Sequence, residues 1–477
     1  MTRLHTGRIL KDLENGKSDQ NRVPRKLTIA ERLILLSVVF VPLQQAFTID
    51  IGFPLKPSEL LIIMAIAVLP FQRLPQHRLR ADGIMLWSLI AVVILSSLYR
   101  LLASEPIGFI PGFTRSANVD LVLYLCYAIL VALFYSVGRG VSREQLGRAI
   151  VLSTWVMGAG VLIQLALGNL GHVDVLELLN FETKAKGLAL DDELDGGVMR
   201  SGSFVEGQHL GFYAAGCVLV ALSYRKYFSA IIAILCLIYS QSTTGFISLV
   251  VGAVVVVMIR PSVSLAWKFI SAGIAAFITY STSAGLRTLI NYQLAKLGVG
   301  SSASDFSGSN ISMDLREVKT LIGFEILGEN PLLGVGPGRY GVHFFDHTEG
   351  YEIPDYYFTL DSHRAIAENT YAQIGAELGL LGLFAWILLL LAVRPKILGA
   401  DLPNIALWLA LVIGVGTQSN WTFLPIWTLI LYLSVARREA GANDIAMDDE
   451  NTSDSDKKIR SISNKVSEIR RKAYRAS

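Results

Sequence analysis

The stretch GIMLWSLIAVVILSSLYRLLA, residues 83–103, contains a single charged residue, Arg100. A helix that crosses the roughly 30 Å hydrocarbon core of a bilayer needs about 20 predominantly apolar residues. Segments of this kind recur along the chain, and their approximate limits are 29–47, 58–72, 83–103, 118–137, 147–169, 209–223, 227–241, 243–260, 264–282, 369–392, 403–419 and 421–437. The sequence therefore predicts an all-α polytopic membrane protein with about 12 transmembrane helices.

The composition agrees with a membrane protein. The chain is 52% hydrophobic and 17% charged, whereas soluble domains carry about 25% charged residues. The net charge is only +3, and the basic residues are scattered along the chain. We therefore expect no nucleic-acid partner. The three cysteines lie in apolar runs and indicate neither a disulfide framework nor a cysteine metal site. The first apolar segment lacks a small-residue cleavage site, so we do not expect a cleaved signal peptide.

The short gaps between the segments alternate in charge. Every second gap is basic, with Arg73, Arg78, Arg80, Arg139, Arg143, Arg148, Arg225, Lys226, Arg260, Lys268, Arg394 and Lys396. Since short cytoplasmic loops are rich in Lys and Arg, both termini are predicted in the cytoplasm and two long loops, about 170–208 and 283–368, outside it. The expected organisation is a cytoplasmic tail at 1–28, a transmembrane domain at 29–437 and a charged cytoplasmic tail at 438–477.

The first long loop ends in a polar motif where the chain re-enters the membrane. It reads RSGSFVEGQH and contains Arg200, Glu206, Gln208 and His209. The planar guanidinium of arginine suits phosphate oxygens, so Arg200 is a candidate phosphate ligand, and Glu206, Gln208 and His209 are candidate substrate-binding residues. The alternative is an interfacial anchor with a turn. For the hydroxyl-rich turn at 240–245, a role in satisfying backbone groups is favoured.

The second long loop combines a helical pattern with a glycine-rich turn. Apolar residues recur at helical spacing over about 311–328, with Arg316 on the polar side. The run ENPLLGVGPGRY follows and ends in Arg339 and Tyr340, two further candidate binding residues. Its glycines fit G-x-G-x-x-G, but without a βαβ context a nucleotide site is not expected. They indicate a turn that approaches another group closely.

Polar residues also lie at the start of the apolar segment 369–392. Glu368 and Asn369 open it, and His363 stands five residues before Glu368. Burial raises the pKa of a carboxyl and a nearby arginine lowers it, so Glu368 is a candidate general base. The alternative is that Glu368 and Asn369 only cap the helix.

The acidic run at 191–195 is read as a solvated loop rather than a metal site.

Taken in order, these motifs resemble the O-antigen ligases and the Wzy-type O-antigen and exopolysaccharide polymerases. The resemblance covers about 200–392, and it is carried by RSGSF at 200, the turn at 240–245, Arg316, NPLLGVGPGRY at 330–340, and ENTY with AELGLLG at 368–382. Many relatives have His-Asn where this chain has Glu368-Asn369, which puts a histidine-based mechanism in doubt. Glu-Asn at this place is more similar to the exopolysaccharide polymerases than to the ligases.

The resemblance implies a GT-C-like helical fold in the bacterial inner membrane. The donor would be an oligosaccharide on polyprenyl diphosphate, with no cofactor and no metal. Arg200 and Arg316 would hold the diphosphate, and Glu368, or alternatively His363, would deprotonate the acceptor. Membrane lipids and other polysaccharide export proteins are the expected partners.

The expected function is therefore that of a polysaccharide polymerase. The alternatives are an O-antigen ligase that transfers glycan to a lipid-A core, a lipid-linked glycan flippase, and a non-catalytic export scaffold. The apolar spans carry few charges, most clearly Glu377, which argues against a carrier because transporters place charges near the midplane.

Overall fold

The computed structural model describes twelve parts of the chain: 26–44, 49–50, 54–72, 80–103, 117–170, 200–204, 206–259, 307–351, 353, 365–395, 402–418 and 421–441. His363, the acidic run at 191–195 and the apolar segment at 264–282 lie outside the described residues.

The described residues are almost entirely helical. In chain order the helices are α1 Ile29–Val39, α2 Pro57–Val68, α3 Ala81–Ala103, α4 Ala117–Gly138, α5 Arg143–Ile163, α6 Gly207–Ser223, α7 Tyr227–Ser240, α8 Thr243–Ile259, α9 Ser307–Glu329, α10 Tyr340–His343, α11 Thr370–Ala392, α12 Leu402–Val415 and α13 424–441. A 3₁₀ turn follows α2 at Leu69–Phe71 and another follows α10 at Phe344–His347, and a π-helical stretch follows α5 at Gln164–Leu170. The strands β1 Ile49–Asp50 and β2 Pro54–Leu55 form one short antiparallel pair.

Four of these helices are long and apolar enough to cross a membrane. They are Ala81–Ala103, Asn118–Gly138, Arg143–Leu167 and Thr370–Ala392. Every predicted apolar segment except 264–282 contains a described helix, and the helix expected in the second long loop is confirmed as α9. Large apolar side chains such as Leu102 and Leu162 remain exposed, as expected for surfaces that face lipid. The described part is that of a helical membrane protein.

Capping side chains mark two of the helix starts. The hydroxyl of Thr28 accepts a hydrogen bond from the backbone N–H of Glu31 at 3.2 Å, and the Glu31 carboxylate accepts from the N–H of Thr28 at 2.8 Å. Ser142 and Gln145 form the same reciprocal pair at the start of α5. Each pair satisfies two backbone donors that the first helical turn leaves free.

Helix α6 lies at the centre of the fold. Its residues from Gly207 to Ala221 are all buried, and it packs against α5, α7, α8 and α12. A helix that is apolar on every side is stable only when neighbours surround it. Gln208 and His209, in its first turn, are therefore held on a rigid element.

Helix α11 is broken at Gly379, whose φ of 67° and ψ of −167° are not helical. The segment 331–336 pairs with the break: the N–H groups of Val335 and Gly336 donate to the carbonyls of Ala376 and Glu377 at 2.8 and 2.9 Å. In return, the N–H of Leu380 donates to the carbonyl of Pro331 at 2.7 Å. Broken helices persist at membrane depth only where their free backbone groups are satisfied in this way.

Candidate functional site

Helix α9 presents a polar face to the chain segment that leads into α11. Residues three and four apart lie on the same side of a helix, and Arg316, Lys319 and Thr320 have this spacing. The hydroxyl of Thr320 donates to the carbonyl of Ala367 at 3.1 Å. The hydroxyl of Tyr340 donates to the carbonyl of Lys319 at 2.6 Å. These two bonds fix α9 beside residue 368.

Glu368 lies at the centre of a polar network that joins three elements. Its Oε1 is 3.2 Å from Nζ of Lys319 in an ion pair. Its Oε2 accepts a hydrogen bond from Nε2 of Gln208 at 3.4 Å. The guanidinium of Arg316 donates to the amide oxygen of the same Gln208. The structure thus brings together Arg316, Gln208 and Glu368, which are far apart in sequence, and adds Lys319 to them.

The backbone of Glu368 is strained. Three described non-glycine residues have positive φ, namely Arg225 at 55°, Gln241 at 49° and Glu368 at 57°. Arg225 and Gln241 follow helix C-termini, where the left-handed conformation closes the helix. Glu368 precedes a helix N-terminus, where no such role exists. Strain of this kind costs about 1–3 kcal/mol and concentrates at functional sites.

The electrostatics of Glu368 favour its ionised form. Burial acts to raise the pKa of the carboxyl, but the charges of Lys319, Arg316 and His209 together hold the pKa below its ordinary value of 4.5. The carboxylate is therefore the form present at neutral pH, and it is able to accept a proton.

Two unsatisfied polar atoms lie next to this network. Nδ1 of His209 and Oε1 of Gln418 are buried and have no hydrogen-bond partner among the described residues. The His209 ring packs on Phe423 with ring centres 4.7 Å apart, and Nε2 of Gln418 donates to the carbonyl of Gln208 at 3.3 Å. Because buried polar groups in proteins are usually paired, such exceptions indicate a functional role or a missing partner.

Arg200 and Glu206 lie at the start of α6. A Cβ added to Gly207 would be 3.1 Å from Cγ of Arg200 and 2.7 Å from the carbonyl of Ser240, so the first loop and the hydroxyl-rich turn meet at this point. Glu206 precedes α6, and its side chain does not cap the helix. Arg200 is half-buried and makes no side-chain hydrogen bond or ion pair with the residues that the structure describes.

The hydroxyl-rich turn itself has the expected backbone role. Oγ of Ser242 accepts from the N–H of Gly245 at 3.1 Å, and Oγ of Ser240 donates to the carbonyl of Leu237 at 2.7 Å. Gly211 packs directly against Ser242. The prediction that hydroxyls of this turn satisfy backbone groups is confirmed for Ser240 and Ser242.

Asn369 and Arg339 have described contacts outside the network, and Tyr340 contacts it through the backbone carbonyl of Lys319. The Asn369 side chain accepts from the N–H groups of Tyr371 and Ala372 at 2.9 and 3.2 Å, so it caps α11, as one of the two sequence interpretations expects. The guanidinium of Arg339 donates to Oδ1 of Asn118 at 2.7 Å. The Tyr340 ring is buried against α9. The assignment of these three residues to substrate stays a prediction.

The glycine-rich run packs against α3, α4 and α11, so the close approach expected from its glycines is confirmed. Gly334, Gly336 and Gly338 have φ of 65°, 100° and 71°, and a Cβ on Gly334 would be 2.3 Å from the carbonyl carbon of Glu377. Nη2 of Arg100 donates to the carbonyl of Gly334 at 2.7 Å.

The carboxylate of Glu377 is held inside the same region. Its Oε1 and Oε2 accept from Gln373 at 3.0 Å and Trp421 at 2.9 Å. The backbone N–H groups of Gly338 and Tyr340 also hydrogen-bond to it. The glycine-rich run thus positions α9 and α11 relative to each other.

Lys319 is absent from the candidates read from the sequence. Its spacing of three from Arg316 on a helical pattern was an available signal, because it places two cations on one face. Its contact with Glu368 joins residues 49 apart in sequence and depends on the tertiary fold.

One family model matches the chain. Residues 228–387 match the family described as O-antigen ligase, which confirms the resemblance read from the motifs. The matched residues include Arg316, Lys319 and Glu368, whereas Arg200, Gln208 and His209 precede them. No curated protein matches the chain.

Proposed function

We propose that this protein is a membrane polysaccharide polymerase. It joins polyprenyl-diphosphate-linked oligosaccharide repeat units at the outer face of the bacterial inner membrane, and it needs no metal and no cofactor. The observation that carries the proposal is the Arg316–Gln208–Glu368–Lys319 network, located inside or beside the part of the chain that matches the O-antigen ligase family.

Glu368 and Arg316 of the network, together with Arg200, have defined tasks in this reaction. The oxygen of an acceptor hydroxyl attacks the anomeric carbon of the donor sugar, and its proton passes to the Glu368 carboxylate. The bond between the anomeric carbon and the phosphate oxygen breaks, and the electron pair leaves with the diphosphate. Arg316 and Arg200 stabilise the charge that develops on this leaving group.

The proposed architecture is GT-C-like with about 12 spans and both termini in the cytoplasm. The Glu368 network then lies outside the cytoplasm, at the ends of the two long loops, 170–208 and 283–368. The alternating charge of the short gaps supports this orientation. Reporter fusions in each long loop test it, and a cytoplasmic signal from 283–368 would contradict both the topology and the reaction.

O-antigen ligation is the second candidate, and the description of the matching family favours it. A ligase uses the same donor and the same leaving group but a different acceptor. The distinction therefore depends on the acceptor and not on the Glu368 network.

An acceptor competition separates the two functions. Membranes that contain the protein are incubated with a lipid-linked repeat unit, with and without lipid-A core. A polymerase produces a ladder of lipid-linked products in both reactions, whereas a ligase produces a single transfer that requires the core. The absence of any transfer from the lipid-linked unit would contradict both functions.

A further inference from the structure

The ion pair between Lys319 and Glu368 is almost completely shielded from solvent. The Nζ and Oε1 atoms are 3.2 Å apart, and the two side chains are 6% and 9% exposed. Burying two charges costs desolvation energy that their attraction seldom repays in full. The pair is therefore a costly way to hold α9 against residue 368, which points to a role beyond stability.

In this state each oxygen of the Glu368 carboxylate already has one partner. The ammonium of Lys319 contacts one oxygen and the amide of Gln208 contacts the other. A general base must lie within about 2.6–3.2 Å of the oxygen whose proton it takes. Because the Glu368 side chain is only 9% exposed, we expect an acceptor hydroxyl to reach it by displacing one of these two partners.

The donor brings a competitor for Lys319. Its diphosphate is an anion, and Lys319 lies on the same face of α9 as Arg316, the residue assigned to that diphosphate. A lysine ammonium on its flexible four-carbon stem is able to change partners, whereas the planar arginine fork is a fixed clamp.

We propose that Lys319 is a positioning residue that exchanges Glu368 for the donor diphosphate, so that donor binding frees the carboxylate to take the acceptor proton. The proposal rests on the proposed function. Lys319 stays protonated throughout. The proton of the acceptor hydroxyl moves to Glu368, the new glycosidic bond forms at the anomeric carbon, and the electron pair of the broken bond leaves with the diphosphate.

The exchange has a kinetic signature in the unmodified protein. The pH dependence of kcat/KM reports ionisation in the free protein, and that of kcat reports ionisation in the donor complex. The charges that face Glu368 are Lys319 and Arg316 from α9 and His209 from α6. When Lys319 and Arg316 turn to the diphosphate, the carboxyl loses their stabilisation. We call the fall of a kinetic parameter as the pH decreases its acid limb. The acid limb of kcat is therefore expected at higher pH than the acid limb of kcat/KM.

Lys319→Gln tests whether Lys319 is the residue that exchanges Glu368 for the diphosphate. Because the ammonium is gone, the acid limb of kcat/KM should move up towards that of kcat. The KM for the donor should rise about 10–100-fold, the range for a hydrogen bond to a charged group. Lys319→Arg keeps a cation and should keep the separation of the two limbs with a smaller rise in KM.

Arg139→Gln is the matched control. The Arg139–Asp82 pair has nearly the same length, 3.3 Å, and its side chains are similarly little exposed, 10% and 11%, so it reports the effect of breaking a buried pair elsewhere. It should lower the melting temperature and leave the donor KM and both acid limbs unchanged.

Two results would overturn the proposal. One is coincident acid limbs in the wild type, which needs no variant. The other is a folded Lys319→Gln protein with wild-type KM and limbs. If the wild type transfers no sugar, the proposed function fails by itself. Polyprenyl diphosphate binding then decides the role of Lys319, and equal affinities of wild type and Lys319→Gln would overturn it.

Discussion

Two of the buried ion pairs among the described residues are almost equal in length and exposure but differ in their surroundings. Asp82 accepts hydrogen bonds from Tyr135 at 2.9 Å and Ser434 at 2.5 Å and pairs with Arg139 at 3.3 Å. All four residues lie in regular helices or directly after one. Glu368, by contrast, has a strained backbone and lies close to unsatisfied polar atoms. A satisfied pair in regular structure fits a structural role, whereas backbone strain and unmet hydrogen bonds are typical of functional sites.

The two pairs also belong to opposite ends of the helical bundle. Asp82 is in the first turn of α3, and Arg100 in its last turn holds the glycine-rich run of the Glu368 region. Eighteen residues at 1.5 Å each separate Asp82 from Arg100 by roughly 27 Å, close to the thickness of a bilayer core. The structural pair thus lies at the predicted cytoplasmic end and the candidate site at the predicted outer end.

The largest expected effect is the loss of glycosyl transfer in Glu368→Gln. The change keeps the size of the side chain and one acceptor but removes proton uptake, which typically costs about 10²–10⁴-fold in rate. Polymer formation from lipid-linked repeat units measures it, with protein levels checked. His363→Ala removes the rival base and should retain activity. An active Glu368→Gln with an inactive His363→Ala would move the base to His363.

Asp82→Ala is expected to show the opposite pattern. Removing one partner of a buried pair leaves the other charge uncompensated and costs about 3–5 kcal/mol of stability. Thermal unfolding should reveal this loss, while the folded fraction keeps its transfer rate. Glu144→Ala is the control, because it breaks the exposed Arg148 pair and should cost less than about 1 kcal/mol. A stable Asp82→Ala protein that cannot transfer sugar would remove the distinction between the two pairs.

Gly334→Ala tests the connection between the glycine-rich run and α11. The residue has φ of 65°, and its Cβ would meet the backbone of Glu377. We expect a loss of about 1–3 kcal/mol in stability, measured by thermal unfolding, together with reduced transfer. Gly328→Ala, in α9 with nothing within 4 Å of the new Cβ, should be neutral or stabilising. Equal behaviour of the two variants would show that the run does not position the site.

The smallest effect is expected for Asn369→Ala. Its side chain caps α11, and loss of such a cap costs about 1 kcal/mol. The melting temperature should fall slightly and the transfer rate should stay within a few-fold of wild type. A loss as large as that of Glu368→Gln would assign Asn369 to the substrate.

The sequence predicts local features well and distant contacts poorly. Apolar run length identified the helices, and the positive φ values of the Gly-Pro-Gly turn follow from its residues. The break in α11 was not predicted, because Gly379 lies inside a segment of spanning length and the residues that complete the break, 331–336, belong to a distant segment. The ion pairs of Glu368 and Asp82 join residues far apart in the chain. Which residues meet in them depends on how the helices pack, and no local sequence pattern encodes that packing.

The central claim is that the Glu368 carboxylate takes the acceptor proton, and the pH dependence of kcat/KM tests it most directly. Since neighbouring cations hold the pKa of Glu368 below 4.5, the base form persists as pH falls from 7. The account predicts a rate that declines only below pH 4.5, and no such limb in Glu368→Gln. A decline near pH 6.5, where imidazoles ordinarily titrate, that persists in Glu368→Gln would contradict the claim and assign the proton to a histidine.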